Sequence, residues 1–475
     1  MSDLVPPLRT ATMAVATALA LAACQTTPTA PPVLDLPPAT LAQLDLERWW
    51  TSFDDPTLNA LIDEALANNL DLQAAIARVE LAQANLLLAR SYQFPSVTVG
   101  AGADRSRTSQ ATSQQTAGGF GAVSDNYAVG LRASYEVDLW GKYRTGTAAA
   151  RSTLLASEYA RETVRIAVAA ETARAYFGLL AADAQLALLR ATLTSRDETV
   201  ALQKDLYEAG IIGEYDLRRA EAERSALVAD VALAERIVGS HESAVAALTG
   251  RSPRAVFTPE IARDVERVRR LGVPEVPAGL PSDLLERRPD VRRSEAQLAA
   301  AALSIDAARA DYFPSIALTA GYGSESAVLG NLFTAPALAW SFGAALTQQV
   351  LGLKAIEANV QAQVARRDAA IVDYRQTVQT AFRETHDALV ANRTSREALA
   401  ALSERARQLS DSLALADLRY RAGYSPYLDV LDAQRQLLQA QTLQILAARD
   451  LRFALIDLAR AMGGGWDYKA DLAAK

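Results

Sequence analysis

The chain has 475 residues, half of them hydrophobic but only 6% aromatic, and a formal charge of −7 with acidic and basic residues interspersed. Ala and Leu dominate the apolar set, a mixture that suits long, closely packed helices better than a conventional α/β enzyme core. No polybasic surface addresses nucleic acid, and a single cysteine, Cys24, rules out a disulfide framework within the chain.

Residues 11–23, ATMAVATALALAA, follow Arg9 and stop at Cys24. The stretch suits the apolar region of a signal peptide and is too short to span a bilayer. The tetrad Leu21-Ala22-Ala23-Cys24 resembles a bacterial lipobox, which implies a lipidated Cys24 as mature N-terminus; the alternative is an ordinary cleaved signal ending near that cysteine. Gln25 after it, rather than Asp, favours the outer membrane by the same resemblance. Residues 24–48, rich in Pro and Thr, read as an extended tether.

The remainder reads as two copies of one unit, 49–270 and 271–463, followed by a tail at 464–475. Asp71 matches Asp290 and Phe94-Pro95 matches Phe313-Pro314 at a spacing of 219 residues. Trp140-Gly141 aligns with Leu351-Gly352, and Tyr207-Glu-Ala-Gly210 with Tyr420-Arg-Ala-Gly423. Each copy predicts a helix, a strand, a loop, a strand, a long helix, a turn and a return helix.

Residues 127–139 alternate, with Tyr127, Val129, Leu131, Ala133, Tyr135, Val137 and Leu139 on one face. Residues 337–349 repeat the pattern, and segments 94–103 and 313–323 behave alike. A period of two over about ten residues suits a transmembrane barrel strand; a half-buried soluble sheet alternates the same way. Polar or Gly-rich connections, notably 104–126, favour the first reading. Four strands cannot close a barrel and open edges cannot face lipid, so membrane strands require a shared barrel, with twelve strands from three chains.

From Lys142 to Ala209 the pattern is helix-forming throughout, a length on the order of 100 Å. Leu186, Leu189, Leu193, Val200 and Tyr207, and in the other copy Leu399, Leu402, Leu409, Leu413 and Tyr420, trace coiled-coil seams. The turns EAGIIGEYD (208–216) and RAGYSPYLD (421–429) follow, with Gly210 and Gly423 fitting left-handed helix stops and Ser425-Pro426 a helix restart. His241 and His386 read as ordinary helix positions, and no catalytic constellation or cofactor motif converges, so no enzyme and no cofactor beyond the lipid is expected.

The pieces WWTSFDDPTLNALIDEALANNLDLQAAIARV, FPSV, VDLWGK, ERRPDVRRSEAQL, FPSI and YRAGYSPYLDVLDAQRQ resemble the TolC-like outer-membrane efflux proteins, and among them the lipidated drug-efflux duct branch. The resemblance implies a mixed α and β fold: a trimeric 12-stranded β-barrel, four strands per chain, continuing into a long periplasmic α-helical coiled-coil barrel. It implies passive export of small molecules, driven by an inner-membrane pump through a periplasmic adaptor. Carried over residue by residue, Asp429 and Asp432 match acidic-ring positions at the tip constriction, Asp216 and Tyr420 match inter-helix gate positions, and the turns at Gly210 and Gly423 match the adaptor-docking surface. Asp429 and Asp432 also read simply as helix-start acids favoured by the dipole. Ser425 stands where some relatives carry a basic gate residue. The cluster Arg287-Arg288-Pro289-Asp290 reads as structural, a helix start. The competing readings are a periplasmic coiled-coil adaptor lipoprotein and a related duct for protein secretion.

Overall fold

A computed structural model describes residues 47–107, 123–257, 261, 263 and 287–466. Cys24, the signal segment, most of the tether, the boundary near residue 270 and most of the tail lie outside the described residues.

A 3-10 turn, Trp49–Phe53, leads into α1 (Pro56–Asn68), whose N-terminus is prepared by sequence: Pro56 opens the helix, and Asp55 accepts from the Thr57 and Leu58 amides at 2.9 and 3.2 Å. Asn69 repeats the device for α2 (Leu70–Ser91), accepting from Asp71 and Leu72 at 2.9 and 3.2 Å. Strands β1 (Ser96–Arg107) and β2 (Val123–Glu136) follow, then α3 (Lys142–Glu208) and α4 (Glu214–Leu248). The second copy supplies α5 (Pro289–Arg309), β3 (Ser315–Ser326), β4 (Leu338–Thr347), α6 (Leu353–Arg421) and α7 (Tyr427–Ala461). Among the described residues each copy sets two strands and then two long helices in the same order, after two shorter helices in the first copy and one in the second. Three pairs of glycines with positive φ mark the same joints in each: Gly141 and Gly352, Gly210 and Gly423, Gly250 and Gly463.

The four strands form one antiparallel sheet in the order β1-β2-β3-β4, so both outer edges are open. Register places the apolar faces side by side. Val99 lies opposite Leu131, Leu131 opposite Tyr322, and Tyr322 opposite Trp340. One level below, Val97, Ala133, Ala320 and Phe342 align in the same way. This face is exposed, Val99 by 77%, Trp340 by 76% and Phe342 by 72%, which fits contact with lipid and not a protein core.

The strands depart from the sequence reading at their ends. Asp104–Arg107 and Val123–Asn126, read as loop, extend the first hairpin, held by Arg105 on Asp125 at 3.3 Å and Ser106 against Ser124 at 3.2 Å. Cross-strand polar pairs carry a ladder beyond the apolar band, where alternation of hydrophobicity carries no signal. At the other end β2 stops at Glu136, not Leu139, because the chain turns toward α3. Trp140, beyond the strand end, stacks on Phe313, centroids 4.6 Å apart, and donates its indole N–H to the Pro314 carbonyl at 2.8 Å. The connection between β3 and β4 is neither polar nor Gly-rich. It is braced by its own bonds, including Thr334 Oγ1 to the Asn331 carbonyl at 2.7 Å, and exposes Val328, Leu329 and Phe333.

α3 runs unbroken through Gly146 and Gly178, 67 residues or about 100 Å. Around its middle, Ala169, Ala170 and Ala173 let neighbouring helices approach closely, and Trp50, Phe53, Leu58, Ile62, Tyr176, Phe177 and Ile456 fill the main core. Tyr176 donates to Asp55 Oδ2 at 2.8 Å, satisfying a phenol that is fully buried. No described helix is long and apolar enough to cross a membrane.

Candidate functional site at the paired helix turns

The far ends of α3 and α6 carry two turns of one design. After α3, Gly210 adopts φ 72°; its amide donates to the Tyr207 carbonyl at 2.9 Å, and the Ile211 amide to Leu206 at 2.9 Å. After α6, Gly423 adopts φ 76°, donating to Tyr420 at 2.9 Å, and Tyr424 donates to Arg419 at 2.9 Å. This left-handed stop satisfies the last helix carbonyls and reverses the chain. It leaves Ile211 and Tyr424 exposed by 68% and 80%.

The restarts differ. Gly213 precedes α4, with Glu214 and Asp216 in its first turn; Pro426 precedes α7, with Asp429 in its first turn. The Ser425-Pro426 pair stands at the restart, where the sequence placed it, and no side chain caps the helix. Pro426 itself takes the extended cap conformation, and the Ser425 hydroxyl is buried without a hydrogen-bond partner. Pro426 fixes the turn through its ring and removes an amide that needs no cap.

Asp216, Asp429 and Asp432 are all exposed. Among the described residues the Asp216 and Asp429 carboxylates make no side-chain bond, whereas Asp432 Oδ2 accepts from Gln436 Nε2 at 2.6 Å. Val430, Leu431 and Ala433 are buried beside them, so Asp429 and Asp432 share the outward face of α7, as their spacing requires. Tyr420 stands edge-on to Tyr427, centroids 5.5 Å apart. Its hydroxyl accepts from Gln203 Nε2 at 3.2 Å. Tyr420 and Asp216 are not joined within one chain.

Two polar residues escaped the sequence reading. Arg196 on α3 is 5% exposed and donates across to α7, to Gln434 Oε1 at 2.5 Å and the Tyr427 hydroxyl at 3.4 Å. Gln203, one heptad later, is 1% exposed. The signal was present: Leu189, Leu193, Val200 and Tyr207 leave 196 and 203 as the empty seam positions, and polar residues fill them. In the second copy Ala406, 6% exposed, fills one such gap. Buried donors of this kind fix which helix faces which, because an unpaired guanidinium is costly.

The cluster at the start of α5 is structural, as expected. Pro289 opens the helix, while Arg288, nearly buried, meets Asp290 at 2.6 Å, Glu384 at 2.8 Å and the Ala461 carbonyl at 3.0 Å. No group of residues able to hold a metal ion occurs among the described residues.

The family model for outer membrane efflux proteins matches twice, at residues 61–251 and 280–464, one match per repeat. The chain is 36% identical over 417 residues to the solvent efflux pump outer membrane protein SrpC of Pseudomonas putida, covering 87% of this chain and 86% of that protein. It is 36% identical over 471 residues to the outer membrane protein OprJ of Pseudomonas aeruginosa, 95% of each chain. Among solved structures, the Campylobacter jejuni CmeC outer membrane channel superposes with a TM-score of 0.86 at 28% identity, covering 94% of this chain and 97% of that one. The open state of the Neisseria gonorrhoeae MtrE outer membrane channel gives 0.74 at 31%, covering 93% and 99%.

Proposed function

The chain belongs to the outer membrane efflux protein family and is the outer-membrane component of an efflux system; from that premise we propose that three copies form a lipid-anchored exit duct for small molecules. One observation carries the reading. A four-stranded sheet, apolar on one face and open at both edges, is joined to helices about 100 Å long. Open edges are untenable in lipid, and three such sheets close as a twelve-stranded barrel with no edge left. The helices then extend the barrel wall away from the membrane, and Cys24 carries the lipid that fastens each tether.

The turns at Gly210 and Gly423 are the docking surface for a periplasmic adaptor, with Ile211 and Tyr424 as its exposed apolar contacts. An inner-membrane pump supplies the energy, since nothing in the chain resembles an energy-coupling motif. Asp429 and Asp432 from three copies line the narrow tip, where clustered carboxylates attract cations and repel anions. Asp216 and Tyr420 act between neighbouring helices in the gate. Arg196 and Gln203 hold α7 and α6 against α3 in the state described here, so opening the tip requires those bonds to exchange. The rival adaptor reading does not account for the exposed apolar sheet, and the relatives named for efflux argue against protein secretion.

The test is the native mass of full-length protein extracted by detergent from outer-membrane fractions. An acylated trimer is expected. A monomer released without detergent overturns the shared barrel and, with it, the duct.

A further inference from the structure

The inward face of the sheet, opposite the lipid-facing band, is built almost entirely from Gly, Ala, Ser and Thr. Four charged side chains interrupt it within the strands: Asp104, Arg132, Glu136 and Glu325. Three are carboxylates toward the strand ends. Glu325 accepts from Asn126 at 2.9 Å, and Glu136 accepts from the Tyr143 hydroxyl at 2.8 Å. The fourth, Arg132, stands near the middle of β2, opposite Thr98 on β1 and Gly321 on β3, with Ser341 beyond. Gly130 and Ser134 flank it on the same face.

Arg132 is exposed and makes no ion pair among the described residues. Glu136 and the level of Glu325, opposite Ala128, each lie four residues away along the strand, about 13 Å, beyond direct pairing. The surface beside it is held flat. A Cβ added to Gly130 would lie 2.9 Å from the Tyr322 carbonyl oxygen, and one on Gly323 would lie 2.3 Å from that of Val129. Larger side chains are excluded at those two positions, and with Thr98, Gly321 and Ser341 at its own level the guanidinium is the one long group reaching from this part of the wall. A charge at mid-span with no structural partner points to the path of a solute.

We propose that Arg132, one from each of three copies, forms a cationic collar inside the barrel that favours anionic solutes at the outlet. The inference rests on the duct reading above. Twelve strands about 4.8 Å apart and tilted about 40° enclose roughly 24 Å between backbone walls, and guanidiniums reaching inward leave no point far from a positive charge. The Debye length is about 8 Å at physiological salt and about 3 Å at 1 M, so the collar acts across the lumen in the first condition and not in the second. The duct thus carries two opposed filters: carboxylates at the tip and guanidiniums at the outlet. Solutes that bear both a cationic and an anionic group, or a carboxylate on an apolar body, are the class such a pair passes best.

The experiment is the reversal potential of the purified trimer in planar bilayers under a tenfold KCl gradient kept below 0.15 M. The variants are Arg132→Gln, Arg132→Glu and Arg132→Lys, each also in an Asp429→Asn, Asp432→Asn background that removes the acidic tip from the series. Arg132→Gln should move the chloride-to-potassium permeability ratio at least about twofold toward potassium, with Arg132→Glu further and Arg132→Lys close to the parent. The differences should vanish at 1 M salt. For a variant that does not assemble, Arg132→Cys in a Cys24→Ser background takes its place: a cationic thiol reagent should restore the parent ratio and an anionic one reverse it. An Arg132→Glu potential equal to the parent's in both backgrounds overturns the collar. A parent that extracts as a monomer strikes the duct reading instead, which keeps the two outcomes apart.

Discussion

Asn69 and Arg288 occupy the same place in the two repeats and solve the same problem with different chemistry. Asn69 Nδ2 donates to the last turn of α4, at the Leu248 carbonyl, over 2.9 Å; Arg288 donates to the last turn of α7, at the Ala461 carbonyl, over 3.0 Å. The glycines that follow those helices pack against the adjoining backbone, Gly250 on Asn68 and Gly463 on Arg287. Asn69 itself is neutral, and the ion pair at the first joint, Arg251 with Glu64 at 2.8 Å, lies beside it and not on it. The second adds Asp290 and Glu384 around a nearly buried guanidinium. Duplication preserved the docking of backbone on backbone and left the side chains free to diverge, so equal geometry here does not mean equal sensitivity.

The largest effect should come from the glycines. A Cβ on Gly250 would lie 2.2 Å from the Asn68 carbonyl oxygen, and one on Gly463 would lie 2.6 Å from that of Arg287, at φ 68° and 74°. Left-handed strain plus the clash should cost about 3 kcal/mol in Gly250→Ala or Gly463→Ala. Gly210→Ala and Gly423→Ala, with open space around the added atom, should lose only about 1–2 kcal/mol. The dissociation temperature of the trimer reads both; equal losses at all four positions would break the distinction. Next, Arg288→Ala should cost about 2 kcal/mol by leaving two partly exposed carboxylates and a carbonyl without their cation, against about 1 kcal/mol for Asn69→Ala. A reversed order in chemical denaturation would show that the ionic joint is no stronger in context.

The smallest effect is a pH dependence confined to the first repeat. His241 packs on Gly178, and burial first, then Arg449, lowers its pKa below the ordinary 6.5. The unfolded chain therefore binds the proton more readily. Stability from this group is complete above about 6.5 and is lost as pH falls through that value. Its counterpart in the second repeat is Ala454, buried and without charge. His241→Gln should flatten the stability profile between pH 7 and 5, read by chemical denaturation at each pH.

Much of this frame was legible in the residues, because period, punctuation and repeat spacing are local. Alternation in 127–139 and 337–349 revealed the strands, and Gly210 and Gly423 the turns. Gly250 and Gly463 continue the spacing of those turns and were missed, since neither belongs to a conspicuous motif. Arg196 and Gln203 were hidden for another reason: a seam is traced by its apolar members, and a buried polar residue looks like a surface one until its partner across the helix is known. The pairing of Trp140 with Phe313 joins residues far apart in sequence, which no local pattern encodes. The carboxylates at 216, 429 and 432 stand exposed at and beside the turns, and in the proposed duct their mutual arrangement depends on neighbouring copies, which no single sequence encodes.

The sheet order also governs the sequence of events in folding. Each hairpin pairs strands close along the chain, as Ser96 with Ser134 and Ser315 with Thr347. The central seam pairs Tyr127 with Ser326, across the two long helices of the first repeat, α3 and α4, and across α5 of the second. Contacts so distant in sequence form slowly, because the intervening chain must be ordered first. The two hairpins can zip independently within microseconds, yet the four-stranded wall waits for the helical scaffold that brings them together. A nascent chain that ends before residue 315 holds only half a wall, the first hairpin with both of its edges open.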